Sequence, residues 1–205
     1  MSLNIVPSTI VAQPRPITPA NLKIIDKFVK PQIHEEVLQS TATATATAVT
    51  PQKKRVVAIA VDDTKESYYA FTWALNNLVD QWRDQVCLLN VRPFAMPGYF
   101  INNADFYPSY SLDYNEDYVE SVETFNRDES HALLQRYGGE LLAKGVQSRG
   151  IALRGNPKET LLEKIEELKP DIVVTGTRGK SLFRGSISEY LVQHANTVVI
   201  VPKLN

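Results

Sequence analysis

Three polar features of the chain have the residue types to hold a phosphate or a sugar: Asp62, the run Gly176-Thr177-Arg178-Gly179, and the pair Gly185-Ser186. Glycines let a backbone approach an anion closely, and amides near Gly179, Gly185, Ser186 and Ile187 stand where the positive end of a helix donates to phosphate oxygens. A carboxylate is repelled by phosphate, so Asp62 suits a ribose hydroxyl, the preferred role, or a bridging magnesium ion. Ala60 and Val61 offer an apolar wall for a base, and backbone groups near Val91 offer it hydrogen bonds. Together these residues outline a nucleotide pocket. Each also has a plainer role: Asp62 satisfying amides at a strand end, the glycines forming an exit turn, Ser186 capping a helix, Arg178 and Lys180 lying in solvent.

Other chemistries find less support. Gly179-Lys180-Ser181 matches the end of a phosphate-binding Walker loop, but Val174 occupies the position of its first glycine, so the amide cradle is incomplete. His34, His131 and His194 fall in a tail and in two helical patterns, without a nucleophile and an orienting carboxylate beside them. Cys87 sits in an apolar run with no neighbouring base to activate it, which makes it a core side chain. Slow hydrolysis of a bound triphosphate stays open; efficient turnover does not follow from these residues.

Positioning the three features requires strands that end at them. Val56 to Val61 is a continuous apolar run closed by Asp62 and Asp63, and Asp63 with Glu66 suggests a capping box for a helix carrying Ala70, Phe71, Ala74, Leu75 and Leu78. Val86 to Val91 gives a second strand. The proline-free stretch from Glu116 to Lys144 predicts one long helix, and Val146 to Leu153 a third strand. Asn156, Pro157 and Glu159 mark the clearest helix start in the chain, and Pro170 ends that helix before a fourth strand over Asp171 to Thr175. Ser186 and Glu189 open a last helix, and Thr197 to Val201 closes the series. Apolar strands alternating with helices call for an α/β fold with a parallel sheet covered on both faces, binding ligands at the carboxyl ends of its strands.

Of the 205 residues, 22 are Lys or Arg and 23 Asp or Glu, a balance that provides no field to attract a polyanion, so no nucleic-acid partner is expected. A single cysteine excludes a disulfide framework or a multi-thiolate metal site within the chain. No stretch reaches the roughly 18 apolar residues of a membrane span, so no membrane partner is expected, and the expected location is cytoplasmic, with the nucleus open. Residues 1–53, with Pro7, Pro14, Pro16, Pro19 and a Thr-Ala alternation from Thr41 to Ala48, read as a disordered or weakly ordered arm, and residues 54–205 as the folded domain. Within the arm, Leu22, Ile24, Ile25, Phe28 and Val29 suggest a short amphipathic helix stopped by Pro31. Pro93 to Tyr114 is a long aromatic connection, read as a loop packed by its own rings or a lid.

Ala60-Val61-Asp62 with Ser67, Gly155-Asn156-Pro157, Val174 through Gly179, Gly185-Ser186-Ile187-Ser188 and Val198 to Val201, in this order, resemble the universal stress protein family from about Arg55 to Pro202. The resemblance implies a Rossmann-like three-layer sandwich of the adenine nucleotide alpha hydrolase kind, with five parallel strands in the order 3-2-1-4-5. It also implies ATP or AMP as ligand, with magnesium left open as a companion of the phosphates. The family's acidic position maps to Asp62, its adenine-facing position to Val91, and its phosphate loop to Gly176, Gly179, Gly185 and Ser186. The chain departs from the family pattern G-x2-G-x9-G-[ST]: five residues, Lys180 to Arg184, stand where nine are usual, a difference of about 6 Å of helix rise. Asn90 stands where a histidine is frequent. The function implied is adenine-nucleotide binding in stress response or signalling without robust catalysis. The alternatives are a dimeric scaffold that binds no nucleotide and a weak magnesium-dependent ATP hydrolase. A homodimer through the apolar C-terminal strand is also implied.

Overall fold

A computed structural model describes residues 34–40, 53–92, 116–177 and 187–203. They form, in chain order, β1 (His34–Ser40), β2 (Arg55–Ala60), α1 (Lys65–Asn77), β3 (Asp84–Arg92), α2 (Glu116–Ala143), β4 (Gln147–Arg154), α3 (Pro157–Leu168), β5 (Ile172–Thr175), α4 (Ile187–His194) and β6 (Val198–Ile200). The helix expected around Leu22 to Val29, the Thr-Ala run and the aromatic segment from Pro93 to Tyr114 lie outside the described residues.

The sheet corrects the expected one. It has six strands in the order β1-β4-β3-β2-β5-β6, not five in the order 3-2-1-4-5, and it is mixed rather than fully parallel. Strands β2 to β6 pair in parallel with their neighbours, whereas β1 runs antiparallel along the outer edge of β4. This extra strand comes from residues 34–40, within the segment read as an arm. Its sequence, HEEVLQS, carries too few apolar residues to announce a strand, and a register irregularity between Glu36 and Leu38 interrupts its alternation. Only the waiting edge of β4 makes these residues a strand.

Alternation along the central strands sends side chains to two cores. Val57, Ile59, Val86, Leu88 and Val174 pack with Phe71 and Ala74 of α1 and with Leu134, Tyr137 and Leu141 of α2. Ala58, Cys87, Leu89, Leu153 and Val173 face the opposite way, against Leu161 and Ile165 of α3 and Leu191 of α4. The change of face between α1–α2 and α3–α4 accompanies the topological reversal that places β5 on the other side of β2 from β3.

Local chemistry explains where the helices begin. Thr64, rather than Asp63, caps α1: its hydroxyl accepts from the Ser67 amide at 3.2 Å, because Asp62 Oδ1 already holds the Thr64 amide at 3.0 Å and its hydroxyl at 2.5 Å. Asn156 caps α3 through the Lys158 amide, with Pro157 in the first turn, and Lys169 ends that helix in the left-handed conformation, φ 46°. At the far end of the sheet Arg55 grips the fully buried Asp84 with two hydrogen bonds of 2.8 and 2.7 Å, tying the starts of β2 and β3 together.

Candidate functional site

A cleft opens at the carboxyl ends of β2, β3 and β5, where three helix starts converge. Its walls are Ala60, Val61 and Asp62 from β2 and its exit, Leu89 and Val91 from β3, and Thr175, Gly176 and Thr177 from β5 and its exit. The beginnings of α1, α3 and α4 complete it with Thr64 and Ser67, Pro157 and Leu161, and Ile187 and Ser188. Apolar walls and a small set of hydroxyls facing the amide ends of helices suit a ligand that is part aromatic or aliphatic and part anionic.

Of the candidate site residues, Ala60, Val61, Asp62, Val91, Gly176 and Ile187 line this cleft, as does Thr177 of the glycine-bounded run. Arg178, Gly179, Gly185 and Ser186 lie outside the described residues, as does the short Lys180 to Arg184 interval. Thr64, which the sequence patterns do not mark, also lines the cleft, as do Ser67, Thr175 and Ser188, which the family-like motifs contain without a pocket role. Their signal was a hydroxyl just past a strand end or within the first turn of a helix, the zone where such a sheet gathers its polar groups.

The floor of the cleft is pinned from behind. Asp62 donates its amide to Ser67 Oγ at 2.9 Å, and its carbonyl accepts from the Tyr137 hydroxyl at 3.1 Å. One residue earlier, the Val61 carbonyl accepts from Asn90 Nδ2 at 2.8 Å, and Asn90 Oδ1 accepts in turn from Ser130 Oγ at 2.5 Å. Asn90 is thus satisfied on both sides within the buried layer between β3 and α2. Burial pushes the Tyr137 hydroxyl upward from its ordinary pKa, against the opposing pull of Ser67 and Arg136, so it remains a protonated donor at neutral pH.

Asp62 has the local role that was its structural alternative, with Oδ1 engaged by Thr64. Gly176 is fixed by space: a Cβ there would lie 2.8 Å from the Glu66 carbonyl oxygen and 2.9 Å from the Ser67 amide nitrogen. The exit of β5 therefore runs directly against the first turn of α1, and a glycine is required for contact with backbone that has nowhere to retreat.

His131 and His194 stand apart from the cleft. His131 Nε2 lies 2.8 Å from Glu35 Oε2, and His194 Nδ1 lies 2.8 Å from the Tyr190 carbonyl oxygen, with its ring stacked on that tyrosine. Cys87 is buried, and its thiol is pushed up to about 11, chiefly by burial. Among the described residues no group of three or more His, Cys, Asp or Glu side chains is placed to hold a metal ion. No described helix is long and apolar enough to cross a membrane.

Residues 54–203 match the model of the universal stress protein family. A universal stress protein A-like protein of Arabidopsis thaliana is 26% identical over 142 residues, covering 66% of this chain and 77% of its own length. Among solved structures, a universal stress protein family member from Arabidopsis thaliana with AMP bound is similar with a TM-score of 0.55 at 23% identity, covering 74% of this chain and 92% of that one. A member from Burkholderia pseudomallei gives 0.53 at 18% identity, over 72% and 94%. At these identities the solved structures establish the shared fold.

Proposed function

Since the chain belongs to the universal stress protein family, we propose that it binds an adenine nucleotide, AMP or ATP, in the cleft around Asp62, and that it acts in stress response or signalling by binding rather than by turnover. The observation that carries this reading is the convergence of the starts of α1, α3 and α4 on the carboxyl ends of β2, β3 and β5. Apolar Ala60, Val61, Leu89 and Val91 suit a purine, and the hydroxyls of Thr177 and Ser188 suit ribose and phosphate oxygens. Support also comes from the relative solved with AMP bound, whose fold this chain shares. In this reading Arg178, Gly179, Gly185 and Ser186 supply the phosphate end.

Magnesium would arrive with the phosphates, because it is commonly held by one or two carboxylates plus phosphate oxygens, and Asp62 is the one carboxylate among the lining residues. Asp62 is also the one acidic or basic side chain of that lining, and its Oδ1 is occupied by Thr64, a poor arrangement for a general base. Binding without efficient catalysis fits that chemistry. The same reading includes a homodimer through β6, whose Val198 is 59% exposed on the outermost strand, and a cytoplasmic or nuclear location.

Calorimetric titration of ligand-free protein with AMP, ATP and cyclic AMP, with and without magnesium, tests the proposal. Saturable binding of AMP or ATP that weakens in Asp62→Ala supports it. Absence of binding by folded protein to all three nucleotides leaves the scaffold reading in its place.

A further inference from the structure

The outer edge of β4 is shaped around one short segment. Strand β1 pairs with it from His34↔Leu153 to Ser40↔Ser148, and Glu36↔Ile151 is followed directly by Leu38↔Gly150, so Val37 is the extra residue of a bulge. The bulge resets the alternation. Glu35, opposite Ala152, and Leu38, opposite Gly150, therefore lie on one face although three residues apart.

Both side chains meet prepared surroundings. Leu38 fills a notch left by two glycines: a Cβ on Gly138 of α2 would lie 2.7 Å from Leu38 Cδ2, and a Cβ on Gly150 would lie 2.9 Å from Leu38 Cγ. Above the notch, Arg92 and Arg154 are direct partners across β3 and β4, and their side chains are only 4% and 3% exposed. Two like charges so placed and so buried require compensation. Glu123 of α2 serves both, at 3.3 Å from Arg92 and 3.2 Å from Arg154. The second carboxylate is Glu35, with Oε1 at 3.4 Å from Arg92 and Oε2 at 2.8 Å from His131. The arginine pair and the notch belong to the family-matched region, residues 54–203, whereas β1 precedes it.

We propose that the edge of β4 is a docking groove for an extended peptide of the pattern Glu-x-x-Leu, and that β1 is the occupant the chain supplies for itself. Backbone pairing gives the groove its affinity for an extended segment. The arginine pair and the two-glycine notch give it selectivity for an acid and a leucine three residues on. Residues 41–54 form a tether of 14 residues, with a reach of about 45 Å, against the three strand spacings, about 14 Å, that separate β1 from β2. The tether therefore permits exchange of β1 for a competing segment of the same chemistry.

The test uses the full chain and a fluorescent peptide of residues 32–42. The double variant Glu35→Lys/Leu38→Asp disables the internal strand without touching the groove, and its fold is checked by circular dichroism and thermal melting. The variant is expected to bind the peptide saturably. Wild-type protein is expected to bind it at least about tenfold more weakly, since its own strand competes at high effective concentration. Peptides carrying Glu35→Lys or Leu38→Asp are expected to lose about tenfold or more in affinity. The proposal is overturned if the folded variant does not bind, if substituted peptides bind as well as the natural one, or if wild-type protein binds as tightly as the variant. Should the double variant not fold, the same titrations on Leu38→Ala decide the question.

Discussion

Tyr137 of α2 donates its hydroxyl to the main-chain carbonyl of Asp62 at 3.1 Å, reaching across 75 positions of sequence to the end of β2. Ser67 holds the amide of the same residue from α1, and Asn90 holds the preceding carbonyl from β3. Two successive peptide groups at the floor of the cleft are thus fixed by three side chains from three elements. Such support is what allows a strand end to present amides and a carboxylate in one orientation to a ligand.

Tyr137→Phe isolates this support from packing. The ring keeps its edge-on contact with Phe71, whose centroid is 4.7 Å away at 78°, while the Asp62 carbonyl loses its donor. Stability is expected to fall by about 1 kcal/mol in urea unfolding, and nucleotide affinity to weaken severalfold. Equal stability and affinity in the two proteins would show that the hydroxyl holds nothing.

Gly176→Ala tests the close approach of β5 and α1. The new Cβ would meet the Glu66 carbonyl and the Ser67 amide below 3 Å, and both belong to the helix backbone, so α1 must shift. A loss of about 1–3 kcal/mol is expected. Because Thr64 and Ser67 move with that helix, nucleotide affinity is expected to drop as well. A variant as stable as the parent in thermal unfolding would remove this spatial account of the glycine.

Sequence patterns located the central strands and the start of α3 for a physical reason: Val57 to Val61 and Val173 to Val174 are covered on both faces and must be apolar throughout, and Asn156-Pro157 carries its capping chemistry locally, whereas the cap of α1 fell one residue from the expected Asp63. Strand β1 escaped because nothing local specifies it. Its pairing sets Leu38 in a notch formed by Gly138 and Gly150 and Glu35 beside Arg92, all far away in sequence. The candidate site divides in the same way. Asp62, Val91 and Gly176 were legible as residues at strand ends, whereas Thr64 and Ser188 join the cleft only when different helices are brought together. Asn90 is a polar residue within an apolar strand, and its partners, Val61 and Ser130, meet it only once β2 and α2 are packed against β3.

Cys87 is expected to be inert in the folded protein. Burial raises its thiol to about 11, so the thiolate is a negligible fraction at pH 7, and no solvent reaches the sulfur. Reaction with an aromatic disulfide reagent should be negligible in buffer and should rise with urea along the unfolding curve followed by circular dichroism. Rapid labelling well below that transition would reveal an opening of the sheet that exposes β3 alone.

The Arg55–Asp84 pair predicts a defined response to acid. Burial alone would raise the Asp84 carboxyl, but the hydrogen bonds from Arg55 and from the Asp80 amide outweigh it and hold the group below the usual carboxylate range. The folded state therefore favours the ionised form more than the unfolded chain does. The resulting stability is in place above the unfolded value, about 3.9, and is lost as pH falls through the lower folded value. Asp84→Asn keeps the size of the side chain but leaves Arg55 facing a neutral amide, at an expected cost of about 3 kcal/mol at pH 7. Urea unfolding of both proteins at pH 7 and again near pH 3 should show the gap between them narrowing in acid. A gap that stays constant would mean that Asp84 contributes by shape and hydrogen bonding rather than by charge.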